Sequence, residues 1–124
     1  LVADVDEKNR SSVARFLSER NLTVYTASVG SEVIQMVQNM GVNVLIMDVE
    51  LGGMKAYEVI PILKKIDPYL RIIVTSRDSS IDLARRIRAE GVFFYALKPL
   101  DLEEIRLAVN DALKNIQKKT RREE

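Results

Sequence analysis

The sequence predicts an α/β fold, with a single doubly wound, five-stranded parallel sheet and helices on both of its faces. Strand-like and helix-like segments alternate along the whole chain, as they do where right-handed crossovers connect parallel strands. The apolar run 42–47 (Val-Asn-Val-Leu-Ile-Met) is typical of a strand buried on both faces. Polar side chains follow several of the short apolar strands, where open α/β sheets place their sites.

Five segments have the composition expected of strands. They are apolar, β-branched or aromatic, and all are far shorter than the roughly 20 apolar residues that a membrane-spanning helix needs. The chain is therefore not expected to cross a membrane, and its net charge of +1 gives no overall attraction to a membrane surface. The predicted strands are residues 1–3, 23–26, 42–47, 70–75 and 93–97.

Five further segments are expected to be helical. Val13, Phe16 and Leu17 have the spacing of one helix face. The ends of the later helices are indicated by capping residues and by glycines that follow the last helical residue. Ser31 and Asp101 are the predicted caps, and Gly41 and Gly91 the predicted stops. The predicted helices are the segment around 13–17 and residues 31–40, 56–66, 80–90 and 102–116.

The composition restricts the chemistry that this chain can perform. Its 124 residues suit one domain with one sizeable core. A net charge of +1 gives no overall field that attracts nucleic acid, so no direct nucleic-acid binding is expected. The absence of cysteine excludes disulfides and fits a cytoplasmic location. The absence of histidine leaves carboxylates, hydroxyls and lysine as reactive groups.

The predicted domain comprises residues 1–117, and residues 118–124 are expected to be a polar tail or the start of a linker. These last residues, Lys-Lys-Thr-Arg-Arg-Glu-Glu, contain no apolar side chain that a core could bury. No signal peptide pattern is present.

Four polar residues occupy matching positions at the ends of predicted strands. Asp4 follows the first strand, Asp48 follows the third, Thr75 ends the fourth and Lys98 follows the fifth. Carboxyl ends of parallel strands meet at one edge of the sheet, so these side chains are expected to lie together. A set of carboxylates, a hydroxyl and an ammonium can bind a cation and accept a phosphoryl group.

These motifs and their spacing resemble the receiver domain of bacterial two-component response regulators over nearly the whole chain. The residues that carry the resemblance are Val-Ala-Asp-Val-Asp-Glu at 2–7, Ile-Met-Asp at 46–48, Gly-Met at 53–54, Val-Thr-Ser at 74–76 and Tyr-Ala-Leu-Lys-Pro at 95–99.

The resemblance implies a flavodoxin-like sheet in the order 2-1-3-4-5. It further implies that Asp48 accepts a phosphoryl group from a histidine kinase or phosphotransfer protein, with Mg²⁺ neutralising charge. In such a site Thr75 and Lys98 contact the phosphoryl oxygens.

The resemblance also implies a switch, in which Tyr95 follows the movement of Thr75 and carries it to the face made by the fourth helix, fifth strand and fifth helix. That face would bind an output domain or partner, or form a weak homodimer. Such a domain is not an enzyme, although slow autodephosphorylation is expected of it.

The sequence departs from the family pattern after the first strand. The family has two adjacent acids there, and this chain has Asp4 followed by Val5, with Asp6 one position further on. Asp6 is either the cap of the first helix or a replacement metal ligand. The expected metal ligands are Asp4, Asp48 and Glu50, and Val5 is expected to weaken Mg²⁺ binding.

Glu50 and Arg77 are predicted to flank the mouth of the site, because each lies two residues beyond a site residue. Their charges are opposite, so they are expected either to pair across the mouth and exclude water, or to leave Glu50 free to bind the metal.

The sequence leaves two functions open besides phosphorylation. One is a degenerate receiver that binds partners without phosphorylation, which Val5 favours. The other is a flavodoxin-like cofactor binder, which the acidic loop after the first strand disfavours.

Overall fold

A computed structural model describes the backbone of residues 1–123 and the side chains of residues 1–115. The strands are β1 Val2–Ala3, β2 Thr26–Ala27, β3 Val44–Asp48, β4 Glu50–Leu51, β5 Met54–Lys55, β6 Arg71–Ser76 and β7 Phe94–Leu97. The helices are α1 Glu7–Ser18, α2 Gly30–Asn39, α3 Ala56–Ile66, α4 Ile81–Ala89 and α5 Leu102–Glu123. No helix among the described residues combines the length and apolarity needed to span a membrane.

Five strands form one parallel sheet in the order β2-β1-β3-β6-β7. Counted along the sheet strands alone, this is the predicted order 2-1-3-4-5, and the flavodoxin-like α/β fold is confirmed. The parallel pairing follows from the helices between consecutive sheet strands, since a parallel neighbour needs a crossover connection. In the register of β3 and β6, Asp48 is directly opposite Thr75.

The sheet separates two apolar layers, and β3 contributes to both. Leu45 and Met47 pack on the side of α2, α3 and α4, whereas Val44 and Ile46 pack on the side of α1 and α5. This alternation is the period of a strand, and burial on both faces explains why β3 is continuously apolar from Val44 to Met47. The two layers fix the strands rigidly beneath the edge where the polar residues lie.

Several predicted bounds were wrong; the third strand, predicted at 42–47, is Val44–Asp48 and includes Asp48. The second strand is Thr26–Ala27 rather than 23–26. Helix α2 begins at Gly30 after Val29, so Ser31 lies inside the helix and does not cap it. The Glu32 carboxylate instead accepts hydrogen bonds from the N–H and hydroxyl of Ser28, and the side chain that organises this end therefore lies within the helix.

An antiparallel hairpin of β4 and β5, which was not predicted, lies directly after Asp48. Its two turn residues, Gly52 and Gly53, have φ of 54° and 90°, the left-handed values that a tight hairpin turn of two residues requires. Glu50 is paired opposite Lys55. The hairpin therefore fixes the direction of the Glu50 side chain.

Helix α5 begins with the predicted cap. The Asp101 carboxylate accepts hydrogen bonds from the N–H groups of Glu103 and Glu104 at 3.0 and 3.3 Å. The helical backbone continues to Glu123, across the expected boundary between residues 117 and 118. That boundary stays a prediction, because the side chains of residues 116–124 lie outside the described residues.

Candidate functional site

The four predicted residues meet at the carboxyl edge of the sheet. Each is placed by a strand: Asp4 by β1, Asp48 by β3, Thr75 by β6 and Lys98 by β7. Asp4 and Thr75 are almost entirely buried, whereas the side chains of Lys98 and Asp48 are 8% and 15% exposed. The site opens into a shallow cleft of about 440 Å³ that Asp48 and Lys98 line. The fold thus brings together four residues that are distant along the chain, as the sequence predicted.

Lys98 connects the two carboxylates. Its Nζ lies 2.8 Å from Oδ2 of Asp4 and 2.7 Å from Oδ1 of Asp48. Burial of the ammonium would lower the pKa of Lys98, but hydrogen bonds and attraction from both carboxylates raise it above its ordinary value. The ammonium is therefore held charged between two negative groups, at the edge of the cleft.

Asp4 is held ionised by the groups around it. Burial would raise the pKa of its carboxyl group, but hydrogen bonds from Lys98, from the N–H of Asp6 and from the amide of Asn9 outweigh burial and lower that pKa. The Asp6 N–H lies 2.9 Å from Oδ1, and the Asn9 Nδ2 lies 2.8 Å from Oδ2.

The lowered pKa of Asp4 predicts a dependence of stability on pH. Because its folded pKa lies below the unfolded value near 3.8, Asp4 stabilises the fold above that pH, and the contribution is lost as pH falls through the folded pKa. We expect Asp4→Asn to lower the free energy of unfolding at pH 7 by about 2 kcal/mol, the effect of hydrogen bonds to a charged group. Urea unfolding between pH 7 and pH 3 should show this difference shrinking; a constant difference would contradict it.

Asp48 keeps one oxygen less crowded than the other. Its Oδ1 is bound by the ammonium of Lys98 and accepts a hydrogen bond of 3.4 Å from the hydroxyl of Thr75. Thr75 as a residue is 2% exposed. Its Oδ2 accepts the N–H of Glu50 at 3.1 Å. The Asp48 carboxylate is thus oriented by a cation, a hydroxyl and a backbone N–H. All three groups can also donate to an anionic group attached to Asp48.

Tyr95 contacts the loop that follows β6, the strand that contains Thr75. Its ring packs against the core on the α3 and α4 side. Its hydroxyl donates to the carbonyl oxygen of Asp78 at 3.3 Å, and the buried Ser76 hydroxyl donates to the same oxygen at 3.4 Å. The tyrosine therefore packs against the core and also contacts the loop beside the site.

Asp6 and Arg77 form an ion pair at the mouth of the site, which the sequence did not predict. Asp6 caps α1, because its Oδ1 accepts the N–H groups of Lys8 and Asn9, and its Oδ2 lies 3.2 Å from a guanidinium nitrogen of Arg77. The expected pairing of Glu50 with Arg77 was wrong. The Glu50 carboxylate lies 2.9 Å from Lys55 Nζ, because the hairpin places these two residues opposite each other.

The acidic residues fit only part of a magnesium site. Asp4 and Asp48 can each offer an oxygen, whereas Val5 is 55% exposed in the same cleft and offers none. Among the described residues, no three acidic side chains form a group that could hold a metal by itself. Magnesium is often bound by one or two carboxylates together with phosphate oxygens and water. The residues therefore fit a two-carboxylate site that phosphate oxygens complete, and not a pre-formed metal cage.

Sequence reasoning missed the contribution of the first turn of α1. Asn9 binds the Asp4 carboxylate, and a guanidinium nitrogen of Arg10 lies 2.7 Å from the Asp4 carbonyl oxygen. Neither residue stands at a strand end, which was the signal used to find the others. Placing them requires the cap at Asp6, which starts α1 beside Asp4 so that Asn9 and Arg10 reach it.

The fold and the cluster at its edge define a signalling receiver domain. The family model of the response regulator receiver domain matches residues 1–110, and the chain belongs to that family. This family consists of signalling domains rather than enzymes in the usual sense, and its members act in two-component systems.

Curated relatives agree with this assignment, and solved structures share the fold. The chain is 29% identical over 116 residues to the DNA-binding transcriptional regulator NtrC of Escherichia coli K12; the match covers 94% of this chain and 25% of the relative. A response regulator receiver domain from Methanospirillum hungatei has a TM-score of 0.89 at 19% identity, covering 95% and 94% of the two chains. A Burkholderia pseudomallei response regulator with a phosphorylated aspartic acid and a calcium ion has a TM-score of 0.81 at 25% identity, covering 96% and 70%. The chain spans about a quarter of the length of the NtrC relatives.

Proposed function

We propose that Asp48 is the phosphoacceptor of this receiver domain, taking a phosphoryl group from a histidine kinase or a phosphotransfer protein in the bacterial cytoplasm. The observation that carries the proposal is the position of Lys98, whose ammonium lies 2.7 Å from the Asp48 carboxylate and is held there by Asp4. A buried cation beside an accessible carboxylate is the arrangement that phosphoryl transfer needs, because the reaction depends on positioning and charge neutralisation.

The chemical step is a displacement at phosphorus. A carboxylate oxygen of Asp48 forms a bond to phosphorus while the bond between phosphorus and the phosphohistidine nitrogen breaks, and the nitrogen retains the electron pair. Lys98 and the hydroxyl of Thr75 then contact oxygens of the transferred group. No proton has to be removed from Asp48, so the lack of histidine in this chain does not prevent the reaction.

Magnesium forms part of this proposal. Asp4 and Asp48 would hold the ion, and Glu50 would join them only by releasing Lys55. When bound, the ion neutralises negative charge on the phosphoryl oxygens. Because Val5 provides no ligand, we propose that the ion binds weakly until the phosphoryl group supplies further oxygens.

The proposed switch runs from the site to the surface made by α4, β7 and α5. Contact between Thr75 and the phosphoryl group would draw the loop after β6 inward, and the hydroxyl of Tyr95 is bound to that loop at Asp78. The output would be a further domain or partner protein on this surface, or a weak homodimer through it. A similar solved structure, the beryllofluoride-activated NtrC4 receiver domain, is a dimer. Slow autodephosphorylation would end the signal.

A second function, binding partners without phosphorylation, is favoured by one observation. Val5 is apolar and exposed where the family has an acid. If the site no longer binds Mg²⁺, the fold and its surfaces still permit protein recognition. Phosphorylation measured as a function of Mg²⁺ concentration separates the two functions.

A magnesium titration with intact-mass detection tests the proposal. We expect acetyl phosphate to add one phosphoryl group to the protein only when Mg²⁺ is present. We expect Val5→Asp to lower the Mg²⁺ concentration needed for half-maximal phosphorylation by roughly tenfold or more, because it restores a carboxylate to the cleft. Leu107→Asp, which places the same carboxylate at an exposed apolar residue of α5, serves as the matched control. The absence of an adduct at every Mg²⁺ concentration would favour the second function.

A further inference from the structure

We propose that Arg77 is a ligand of the phosphoryl group, held by Asp6 until that group arrives. This inference rests on the proposed function of Asp48. An acid in place of Val5 would help to hold a metal ion that neutralises phosphoryl charge. Val5 cannot do this, and Arg77 would supply part of that neutralisation instead. Four observations carry it.

Arg77 lies at the site itself. It directly follows β6, two residues beyond Thr75, which is paired opposite Asp48 in the sheet. Arg77 lines the same cleft as Asp48, Val5 and Lys98. Of the described residues that line this cleft, Lys98 and Arg77 are the cations.

The charges in the cleft leave a role for a second cation. In the unmodified protein, Lys98 is shared by Asp4 and Asp48. Phosphorylation replaces the single charge of the Asp48 carboxylate with up to about two negative charges on phosphoryl oxygens. Lys98 alone cannot balance these charges and Asp4 as well, and Val5 adds no ligand for a metal ion.

The contact that holds Arg77 is easily exchanged. Its guanidinium nitrogen lies 3.2 Å from Asp6, and the Arg77 side chain is 74% exposed. Exposed ion pairs of this kind contribute little to stability. A phosphoryl group carries more charge than a carboxylate and accepts two parallel hydrogen bonds from a guanidinium, so it competes well for Arg77.

Asp6 fixes the position of the Arg77 guanidinium in the unphosphorylated protein. One of its oxygens is fixed by the cap of α1, and the other faces Arg77. Asp6 therefore holds the guanidinium at the cleft that Asp48 and Lys98 also line. We infer that Arg77 moves from Asp6 to the phosphoryl oxygens when Asp48 is modified, and that this exchange lowers the amount of Mg²⁺ required.

Three variants test the inference in the same magnesium titration. Arg77→Gln removes the cation and is expected to raise the Mg²⁺ concentration for half-maximal phosphorylation roughly tenfold, the effect of one charge-assisted hydrogen bond. Arg77→Lys keeps the charge and should have a smaller effect. Asp6→Asn keeps an oxygen that can cap α1 but removes the charge that holds Arg77, so it should lower the required Mg²⁺ concentration.

A direct measurement follows the Nε–H resonance of Arg77 by NMR, assigned from its loss in Arg77→Gln. Acetyl phosphate with Mg²⁺ should shift this resonance in the parent protein and not in Asp48→Ala. The inference is overturned if the resonance stays unchanged in a phosphorylated sample. It is also overturned if Arg77→Gln and the parent require the same Mg²⁺ concentration, or if Asp6→Asn raises the requirement as Arg77→Gln does. Absence of any phosphoryl adduct in the parent overturns the proposed function, and this inference with it.

Discussion

The Asp48→Ala variant is expected to gain no phosphoryl mass from acetyl phosphate and Mg²⁺, whereas the parent protein gains one group. Asp48 is the carboxylate beside both Lys98 and Thr75, so removing it removes the nucleophile and leaves its supporting groups in place. The other carboxylate bound to Lys98, Asp4, is occupied by three donors and is 6% exposed. It is therefore a poor substitute for the nucleophile.

Intact mass spectrometry checks this expectation, with Asp82→Ala as the control. Asp82 is an exposed carboxylate in the first turn of α4, and its removal should leave the adduct unchanged. Asp48→Ala should also retain a cooperative unfolding transition, because it leaves Lys98 paired with Asp4. An adduct of full yield in the Asp48→Ala protein would contradict the assignment.

The Lys98→Ala variant is expected to have two large effects. The rate of phosphorylation should fall by about 100-fold or more, the usual consequence of removing a buried group that stabilises developing negative charge. The fold should also lose stability, because two carboxylates at the edge of the sheet lose the cation between them. We expect a loss on the order of 2 kcal/mol, since the cleft gives water access to Asp48 and lessens the penalty of a broken buried pair.

The two effects can be measured separately. Time courses of adduct formation give the rate, and urea unfolding gives the stability. The Lys98→Ala protein with Asp48→Asn added should recover part of the lost stability without recovering phosphorylation, because only one carboxylate then remains unpaired. Lys65→Ala, which removes an exposed lysine of α3, is the control. A Lys98→Ala rate equal to that of the parent would show that the ammonium does not act on the phosphoryl group.

The fold was predictable because its signals are local and repeated. The largely apolar run 42–47 identified a strand covered on both faces, and the alternation of strands and helices then required parallel pairing. The second strand was misplaced because the residues registered opposite β1 are Thr26 and Ala27, and a β-branched composition does not fix the register of pairing. Strand order came from the resemblance to a known family.

The residues of the site that lie at strand ends were predictable, whereas the ion pairs between side chains at its mouth were not. Asp4, Asp48, Thr75 and Lys98 follow from the sheet alone. The partner of Arg77 cannot be derived from the sheet alone. The β4–β5 hairpin pairs Glu50 with Lys55, and Arg77 pairs with Asp6 instead.

The position of the phosphoryl group in the modified protein tests the central claim most directly. The parent protein is treated with acetyl phosphate and Mg²⁺, reduced with borohydride, which converts an aspartyl phosphate to homoserine, and mapped by peptide mass spectrometry. We expect homoserine at position 48 and at no other position. Reduction at Asp4 or Asp6, or an adduct that resists borohydride, would contradict the account of Asp48 as the phosphoacceptor.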